Sequence, residues 1–526
     1  MRRLGRWLGP LVALACATCT APAADGRFAL TIHLVEEGRS VPGLVRIRDL
    51  KGRAVPLPPL LPRGLGLAAD HPSLQWYVLP AATTIRLPRE RLIVEAFRGL
   101  ETELSSMEVD GSVQEQVLLQ LPLVRFLNAA GRGWRGANTH LHLKEINRTE
   151  ADRYLRQVPA ADGLDVLFVS YLERAEADKT YVSNDYTEDE LRSLGRRTGV
   201  LFGNGEEHRH NFGGFEEGYG HVMFLDLRKL IRPVSIGRGI MKEGPDWPPL
   251  RQGIDEAKRQ GATVLWCHNT FGLEDLPNWI DGKPHAQNIF DGDPEAHGSY
   301  QDTFYRYLNA GLRVPFSTGT DWFIYDFSRA YAAVQKLDTT RDWLHALEAG
   351  RTFITNGPFL DLEVQGKLPG ETVTLDGAGT VRIKGSAVGR VDFRRIELVR
   401  NGEVVAKVDS KPKAGHFVAS FDQTIQVDGP AWVALRIPPF AVPKPAADVP
   451  RSELGGPLFA HTSAVHVEVG GRKVFDPATA RALLDEMSRA REKILKNGVF
   501  TTDHEKEHVL SIYALSIAAL EKRLSK

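Results

Sequence analysis

The sequence predicts an α/β protein, in which a (β/α) barrel is flanked by N- and C-terminal β-sandwich-like domains and followed by a short helical tail. Between residues 126 and 358, short apolar runs are each followed by a helical pattern, which is the signature of repeated βα units. On either side, apolar and polar residues alternate in short segments separated by Pro- and Gly-rich turns, as in antiparallel sheets. A chain of 526 residues is long enough for several such units.

These changes of pattern set the predicted boundaries. They are an export signal over residues 1–24, a β domain over 25–125, the barrel over 126–358, a second β domain over 359–475 and a helical tail over 476–526. Within the barrel, apolar runs predict strands at 166–169, 200–202, 221–225, 263–266 and 313–316. Helical periodicity predicts helices at 149–156, 187–197, 250–260, 300–310 and 340–349. Thr187 and Thr340 are candidate N-caps for two of these helices.

The N-terminus has the pattern of a secretory signal. Arg2 and Arg3 precede an apolar stretch over residues 7–17, and the small-residue run Ala21-Pro22-Ala23 follows it. We expect cleavage near residue 23 or 24 and a periplasmic or secreted protein. A lipoprotein anchored through Cys16 is the less favoured alternative, because the three residues before that cysteine fit a lipobox poorly.

Charge and hydropathy exclude two classes of partner. Lys plus Arg and Asp plus Glu both number 66, and no basic run is long enough to follow a phosphate backbone, so we expect no nucleic-acid partner. Beyond the signal, no segment has the roughly 18 uninterrupted apolar residues of a membrane span. The expected partner is a small-molecule substrate. Cys267 is the one cysteine beyond the signal, so no internal disulfide is expected.

Candidate metal ligands begin with His140-Leu141-His142, where extended geometry places both imidazoles on one face. A lone His-x-His pair is weak support for a metal site, because histidine is also common as a core or surface residue. Its companions are Glu206, His221, His268 and Asp321. All but His221 follow a predicted strand, and the carboxyl ends of parallel barrel strands converge on one face. Singly, each companion also has an ordinary interpretation as a strand-start residue, a loop carboxylate or a helix N-cap.

Taken together, these motifs resemble the polymerase and histidinol phosphatase (PHP) superfamily, and within it the CehA/McbA-type metallohydrolases, the carbaryl hydrolase group. The resemblance covers residues 136–358. It rests on His140-x-His142, Gly205-Glu206, His221, His268, Gly319-Thr320-Asp321 and the closing segment 346–358, which reads ALEAGRTFITNGP. It implies a PHP-type barrel and a binuclear site. In that site, His140, His142, Glu206 and Asp321 hold one ion, and Glu206, His221 and His268 hold the other.

The sequence also departs from the superfamily pattern. Ser170-Tyr171 and Trp322-Phe323 stand where many members carry histidine ligands for a third ion. The resemblance therefore implies two divalent ions in this chain. Imidazole and carboxylate ligands suit Zn, Mn or Fe and do not choose among them.

The resemblance implies a hydrolase that cleaves an ester, amide or carbamate bond by metal-activated hydroxide, with Glu206 and Asp321 as catalytic residues. His208 is a candidate proton donor, and Arg209 a candidate ligand for an anionic substrate group. For both, a solvated polar loop is an equal alternative. The wider superfamily supplies phosphoester hydrolysis as the alternative reaction. A second alternative is a non-catalytic extracellular binding protein that uses the metals for rigidity.

Overall fold

A computed structural model describes residues 26–175, 181–213, 217–242, 244–268, 272–292, 300–442 and 444–525 of the protein. Within them the chain is a mixed α/β protein with several sheets and eight α-helices. The predicted export signal lies outside the described residues. Among those described, none of the helices combines the length and apolar character that crossing a bilayer requires.

The first hundred described residues form two facing β-sheets. Their strands are β1 Arg27–Glu36, β2 Arg39–Ser40, β3 Gly43–Asp49, β4 Leu61–Pro62, β5 Tyr77–Leu79, β6 Thr83–Pro88, β7 Arg91–Phe97, β8 Ser105–Asp110 and β9 Gln116–Pro122. One sheet has the order β2-β1-β6 with β9 parallel to β1, and the other has the order β4-β5-β3-β7-β8. Alternate residues of β1 are buried, as the sequence alternation predicts, and pack in a core with the second sheet.

The central region alternates strands with helices. Its elements are β10 Trp134–Asn138, β11 Leu141–His142, α1 Arg148–Ala161, β12 Val166–Tyr171, α2 Glu188–Thr198, β13 Leu201–Asn211, β14 Glu217–Leu225, β15 Ser235–Ile236, α3 Leu250–Gln260, β16 Thr263–Trp266, α4 Asp275–Ile280, β17 Ala286–Asn288, α5 Tyr300–Asn309, β18 Phe316–Ser317, β19 Asp321–Trp322, β20 Arg329–Ala333, α6 Thr340–Glu348 and β21 Thr352–Thr355. The bounds of α3 match its predicted range. The N-cap of α6 is Thr339, one residue before the predicted Thr340, because its side chain accepts from the Asp342 N–H in a capping box.

The central strands follow the order β18-β17-β16-β14-β13-β12-β10-β20-β21. Strand β14 is antiparallel to both β13 and β16, and β20 is antiparallel to β10, so the uniformly parallel arrangement expected from βα repeats is wrong at these strands. The sheet curves back on itself. Thr352 Oγ1 donates to the Phe316 carbonyl at 2.7 Å, and the Thr139 N–H donates to the Thr318 carbonyl at 3.5 Å. Residues near the two ends of this strand order therefore lie close together.

The C-terminal region contains strands β22 Phe359–Val364, β23 Thr372–Leu375, β24 Gly379–Gly389, β25 Arg395–Arg400, β26 Glu403–Asp409, β27 Lys411–Lys413, β28 His416–Val427, β29 Ala431–Arg436, β30 Ala460–Thr462 and β31 Val465–Val469, then helices α7 Pro477–Asn497 and α8 Asp503–Leu524. Strand β21 pairs with β30, so the central sheet continues through β30-β29-β25-β26. A second sheet, β22-β24-β28-β27, packs against it over an apolar core. Hydrogen bonding is thus continuous across the predicted boundary at residue 358.

A buried ion pair joins the N-terminal β region to α1. Arg63 donates to Asp162 through Nε at 3.0 Å and through a terminal nitrogen at 2.5 Å, and both side chains are fully buried. We expect Asp162→Ala to destabilise the protein by about 3–5 kcal/mol, since it leaves a buried guanidinium without its counter-charge. Thermal unfolding measures this loss. Asp422→Ala, which removes the partner of exposed Arg382, is the matched control and should leave the melting temperature unchanged; equal shifts for both variants would contradict the assignment.

Asp275, at the start of α4, makes stability depend on pH. Burial raises the pKa of this carboxyl to about 7, although the Tyr307 hydroxyl donates to it at 2.6 Å. Because the folded-state pKa lies above the unfolded value of about 3.9, this group favours folding at low pH, and its contribution falls as pH rises from about 4 to 7. Asp275→Asn should flatten that decline in melting temperature between pH 5 and 8. Exposed Asp428→Asn should not; identical slopes for all three proteins would refute the claim.

Candidate metal centre

Six side chains from β11, β13, β14, β19 and the segments after β10 and β16 come together, namely His140, His142, Glu207, His221, His268 and Asp321. His140 and His142 lie at the end of β10 and in β11, and His268 follows β16. Asp321 is in β19, which pairs in parallel with β11 and so sets Asp321 beside Leu141. His221 is the middle residue of β14. That strand is antiparallel to β16, which places His221 just beyond the end of β16, where the Cys267 N–H donates to the His221 carbonyl at 2.9 Å.

The first group of candidate ligands is His140, His142, Glu207 and Asp321, whose ligand atoms lie within 4.8 Å of one another. The Nε2 atoms of His140 and His142 are 2.9 Å apart. Asp321 Oδ1 lies 3.5 Å from the first of these atoms and 3.7 Å from the second. Glu207 Oε2 lies 3.1 Å from His142 Nε2. Four donors so placed surround a common centre.

The second group is Glu207, His221 and His268. Glu207 Oε1 lies 3.2 Å from His221 Nδ1 and 3.6 Å from His268 Nε2. The two oxygens of one carboxylate therefore face the two groups separately, which is the arrangement of a bridging ligand.

The remaining imidazole nitrogens are held by the protein. His140 Nδ1 donates to Asp291 Oδ2 at 2.7 Å, and His142 Nδ1 donates to the Ser170 carbonyl at 3.0 Å. His268 Nδ1 donates to the Asp291 carbonyl at 3.2 Å. Such bonds fix the ring orientation and leave the other nitrogen as a lone pair directed into the cluster, as metal-ligating histidines require.

These atoms fit metal ions by their chemistry. With both Nδ1 atoms donating, His140 and His142 in their neutral ligand forms would direct two lone pairs toward each other at 2.9 Å, and a cation between them would satisfy both. Two nitrogens bound at about 2.0 Å to one ion are separated by roughly that distance. Glu207 Oε1 and Asp321 Oδ1 are also buried, with no hydrogen-bond donor among the described residues. A buried acceptor without a donor is unfavourable, and a divalent cation bound to these two oxygens would satisfy them.

Glu206 does not belong to this cluster, so the prediction of Glu206 as the bridging carboxylate is wrong. Its Oε2 accepts from the Ile231 N–H at 2.7 Å, and its Oε1 lies 3.1 Å from His208 Nδ1. Successive side chains of a strand point to opposite faces, so within β13 Glu207 faces the cluster and Glu206 faces away. The carboxylate shared by both groups of candidate ligands is therefore Glu207.

The same alternation of side chains along β13 places His208 outside the cluster. Its Nε2 lies against α3, where a Cβ on Gly253 would come within 2.5 Å of it. His208 is buried with Glu206 on the outer face of β13 and makes no contact with the candidate ligands. The proposed proton-donor role for His208 is thus not supported by its position.

Asp291 is the important residue that sequence reasoning missed. It is fully buried, binds His140 through its carboxylate and His268 through its carbonyl, and accepts from Asn288 Nδ2 at 3.0 Å. It thereby orients one histidine of each group. The signal in the sequence was its place shortly after β17, a strand too short to be recognised from its apolar pattern.

Two of the candidate ligands have strained backbones. His268 has φ +60° and Asp321 has φ +56°, in the left-handed region that non-glycine residues rarely occupy. Such conformations persist where surrounding structure enforces them, and they concentrate at functional sites. Here they direct an imidazole and a carboxylate into the cluster.

The electrostatics favour the ligand protonation state at Glu207 and His221 but not at every imidazole. Although burial opposes protonation, Asp291 and Asp321 raise the pKa of His140 well above its usual value, and Glu207 and Asp291 raise the pKa of His268. Burial opposes ionisation of Glu207, but Arg209 and the surrounding imidazoles hold its pKa well below the usual range. Burial, assisted by Arg209, lowers the pKa of His221 to about 3. Burial likewise opposes ionisation of Asp291, but His140, together with His268 and Asn288, lowers the pKa of this carboxyl. An ionised carboxylate and a neutral imidazole are the ligand forms.

Trp322 and Phe323, which stand where the resemblance places ligands of a third ion, do not belong to the groups of candidate ligands. The Trp322 ring lies 5.2 Å from that of His142 and stacks on Tyr181. Phe323 is buried against Tyr154. Cys267 lies near His140 and His268, but burial raises the pKa of its thiol, which favours the neutral core residue that the sequence predicts.

Comparisons with known proteins add little. No family model matches the chain, and no curated protein matches it. Among solved structures, the β-glucuronidase of Parabacteroides merdae is similar at 9% sequence identity over 81% of this chain, with a TM-score of 0.16. The match spans 60% of the glucuronidase chain. A TM-score this low establishes no common fold.

Proposed function

We propose that the protein is an exported binuclear metal-dependent hydrolase that cleaves an ester, amide or carbamate bond of a small molecule. The observation that carries this proposal is the buried cluster of four imidazoles and two carboxylates, with the oxygens of Glu207 divided between two ligand groups. The resemblance to CehA/McbA-type metallohydrolases supports the reaction type, and the curved central sheet is compatible with a PHP-type barrel.

When bound, divalent ions such as Zn, Mn or Fe lower the pKa of water toward neutrality and stabilise negative charge on the oxygen of the scissile group. Asp321 is the catalytic residue we retain from the sequence. Its side chain is 12% exposed, whereas that of Glu207 is 1% exposed, so Asp321 borders the opening of the cluster. A carboxylate there is positioned to accept the proton of the attacking water.

Partial exposure of the ligands argues against a purely structural role for the ions. The side chains of His221, His268 and Asp321 are 7%, 8% and 12% exposed, whereas those of His140 and His142 are fully buried, so the exposure that the cluster has lies on the side of these three residues. Structural metal sites are normally closed, whereas catalytic sites keep a position for water or substrate. We therefore favour an enzyme over a metal-stabilised binding protein.

Phosphoester hydrolysis is the second candidate reaction. The observation that favours it is Arg209, whose guanidinium lies 3.5 Å from Glu207 Oε1. A guanidinium beside two metal ions suits the anionic oxygens of a phosphoester.

The test is turnover by metal-reconstituted protein. Purified protein loaded with Zn, Mn or Fe is assayed on 4-nitrophenyl esters, carbamates, anilides and phosphates. We expect metal-dependent turnover of one carbonyl class that disappears in Glu207→Gln. Turnover of phosphates alone would establish the second candidate, and absence of turnover on all four classes would reject the proposed function.

A further inference from the structure

We propose that the substrate carries a negatively charged oxygen group beside its scissile bond, and that Arg174 and Arg209 bind that group. The inference rests on the proposed function, because it names the substrate class of the same site. The shared chemistry is an organic oxyanion, either a carboxylate or a phosphate.

Arg174 is a guanidinium positioned by aromatic rings. It donates to the Tyr181 hydroxyl and lies 5.4 Å from the Tyr181 ring centroid and 5.9 Å from that of Trp322. Both rings adjoin His142, at 6.2 Å and 5.2 Å between centroids. Among the described residues no carboxylate pairs with Arg174, and the neighbouring Glu173 is paired with Arg232. The positive charge is thus held near the cluster, where Glu207 and Asp321 are described carboxylates that act on it without pairing directly.

Arg209 approaches the cluster from β13. It shares the face of Glu207, and its side chain is 14% exposed. Its terminal nitrogens lie 3.5 Å from Glu207 Oε1 and 3.4 Å from Asn211 Oδ1. Because Glu207 is also the carboxylate assigned to both ions, metal binding competes for the negative charge that Arg209 contacts.

The two arginines are close enough to repel each other. Burial lowers the pKa of Arg174, and the charge of Arg209 lowers it further. Two guanidiniums brought together at the edge of a site are stabilised by an anion that contacts both.

The charges at the site also favour an anionic substrate. Two divalent ions bring four positive charges, and Glu207, Asp321 and Asp291 supply three negative ones. Divalent ions bound there would take up the negative charge of Glu207 and Asp321, which otherwise acts on Arg174 and Arg209, and an anionic substrate group would replace it. A neutral substrate leaves the positive charge of the two guanidiniums unpaired in a partly desolvated site, whereas an oxyanion neutralises it.

The experiment compares two esters of similar size, 4-nitrophenyl butyrate and mono(4-nitrophenyl) glutarate, together with 4-nitrophenyl phosphate as the phosphate arm. We expect wild-type kcat/KM to favour an anionic substrate over the butyrate by tenfold or more. Arg174→Gln should lower kcat/KM for the anionic substrate, mainly through KM, by about tenfold to a hundredfold more than it lowers kcat/KM for the butyrate. Arg382→Gln, which removes an exposed guanidinium on β24, is the control and should leave kcat/KM for both esters at the wild-type values.

The outcomes separate the two proposals. Preference for the butyrate, or an equal loss on charged and neutral esters in Arg174→Gln, overturns anion recognition while leaving the hydrolase intact. If no substrate is turned over, the proposed function fails, and titration calorimetry of the Zn-loaded protein with glutarate and with phosphate decides the inference. Binding that weakens at least tenfold in Arg174→Gln supports it, and binding unaffected by that change, or none to wild type, overturns it.

Discussion

Glu207→Gln is expected to remove both metal ions and to lower turnover by on the order of a thousandfold, because one side chain supplies a ligand to each ion and half of the cluster's carboxylate charge. An amide of the same shape cannot bridge two cations, and it leaves an N–H₂ group among imidazole lone pairs. Folding should survive, since glutamine has the same shape as glutamate and Glu207 is not a member of the apolar cores on either side. Metal content, circular dichroism and turnover of the same preparation measure the three effects.

Glu206→Gln is the matched control, one residue away on the same strand. Its contacts are the Ile231 N–H and His208, so this change should retain two ions and most of the activity. If Glu206→Gln lost the ions and Glu207→Gln kept them, the assignment of faces on β13 would be reversed.

Asp321→Asn is expected to lose the ion held with His140 and His142 while sparing the one held with His221 and His268. Turnover should fall on the order of a hundredfold or more, since the change removes both a ligand and the group assigned to accept the proton. Asparagine tolerates the left-handed backbone at this position, so the change tests charge and not conformation. Elemental analysis should give about one ion per chain.

The result that contradicts this assignment is loss of both ions or of neither in Asp321→Asn. Exposed Asp338→Asn serves as the control for the same chemical change away from the site. It should retain two ions and wild-type turnover.

Much of the site could be predicted from the sequence. His140-x-His142 places two imidazoles on one face in any extended chain, and His268 and Asp321 follow buried runs whose ends converge. These residues do meet in the structure. The residues predicted to begin and end helices were also informative. Gly261, for example, ends α3 in a left-handed conformation.

The bridging carboxylate could not be chosen from the sequence, because Glu206 and Glu207 are adjacent and strand alternation puts them on opposite faces. Which face is interior depends on the packing of α3 over β13, and that is a tertiary contact. The direction of β14 was also undetermined. Its antiparallel pairing places His221 at the site, although the residue stands at the beginning of the predicted strand 221–225.

Asp291 and Arg174 were missed for a related reason. Both lie outside regular elements, where no periodicity indicates the direction of a side chain. Their roles depend on long-range neighbours, a histidine 151 residues away for Asp291 and the Trp322 ring for Arg174.

The most direct measurement of the central claim is anomalous diffraction from crystals of the purified protein, recorded at the absorption edge of the metal that elemental analysis identifies. We predict two peaks a few Å apart, one among His140, His142, Glu207 and Asp321 and one among Glu207, His221 and His268, with Glu207 between them. A single peak, or two peaks that leave Glu207 outside both coordination spheres, would contradict the binuclear centre.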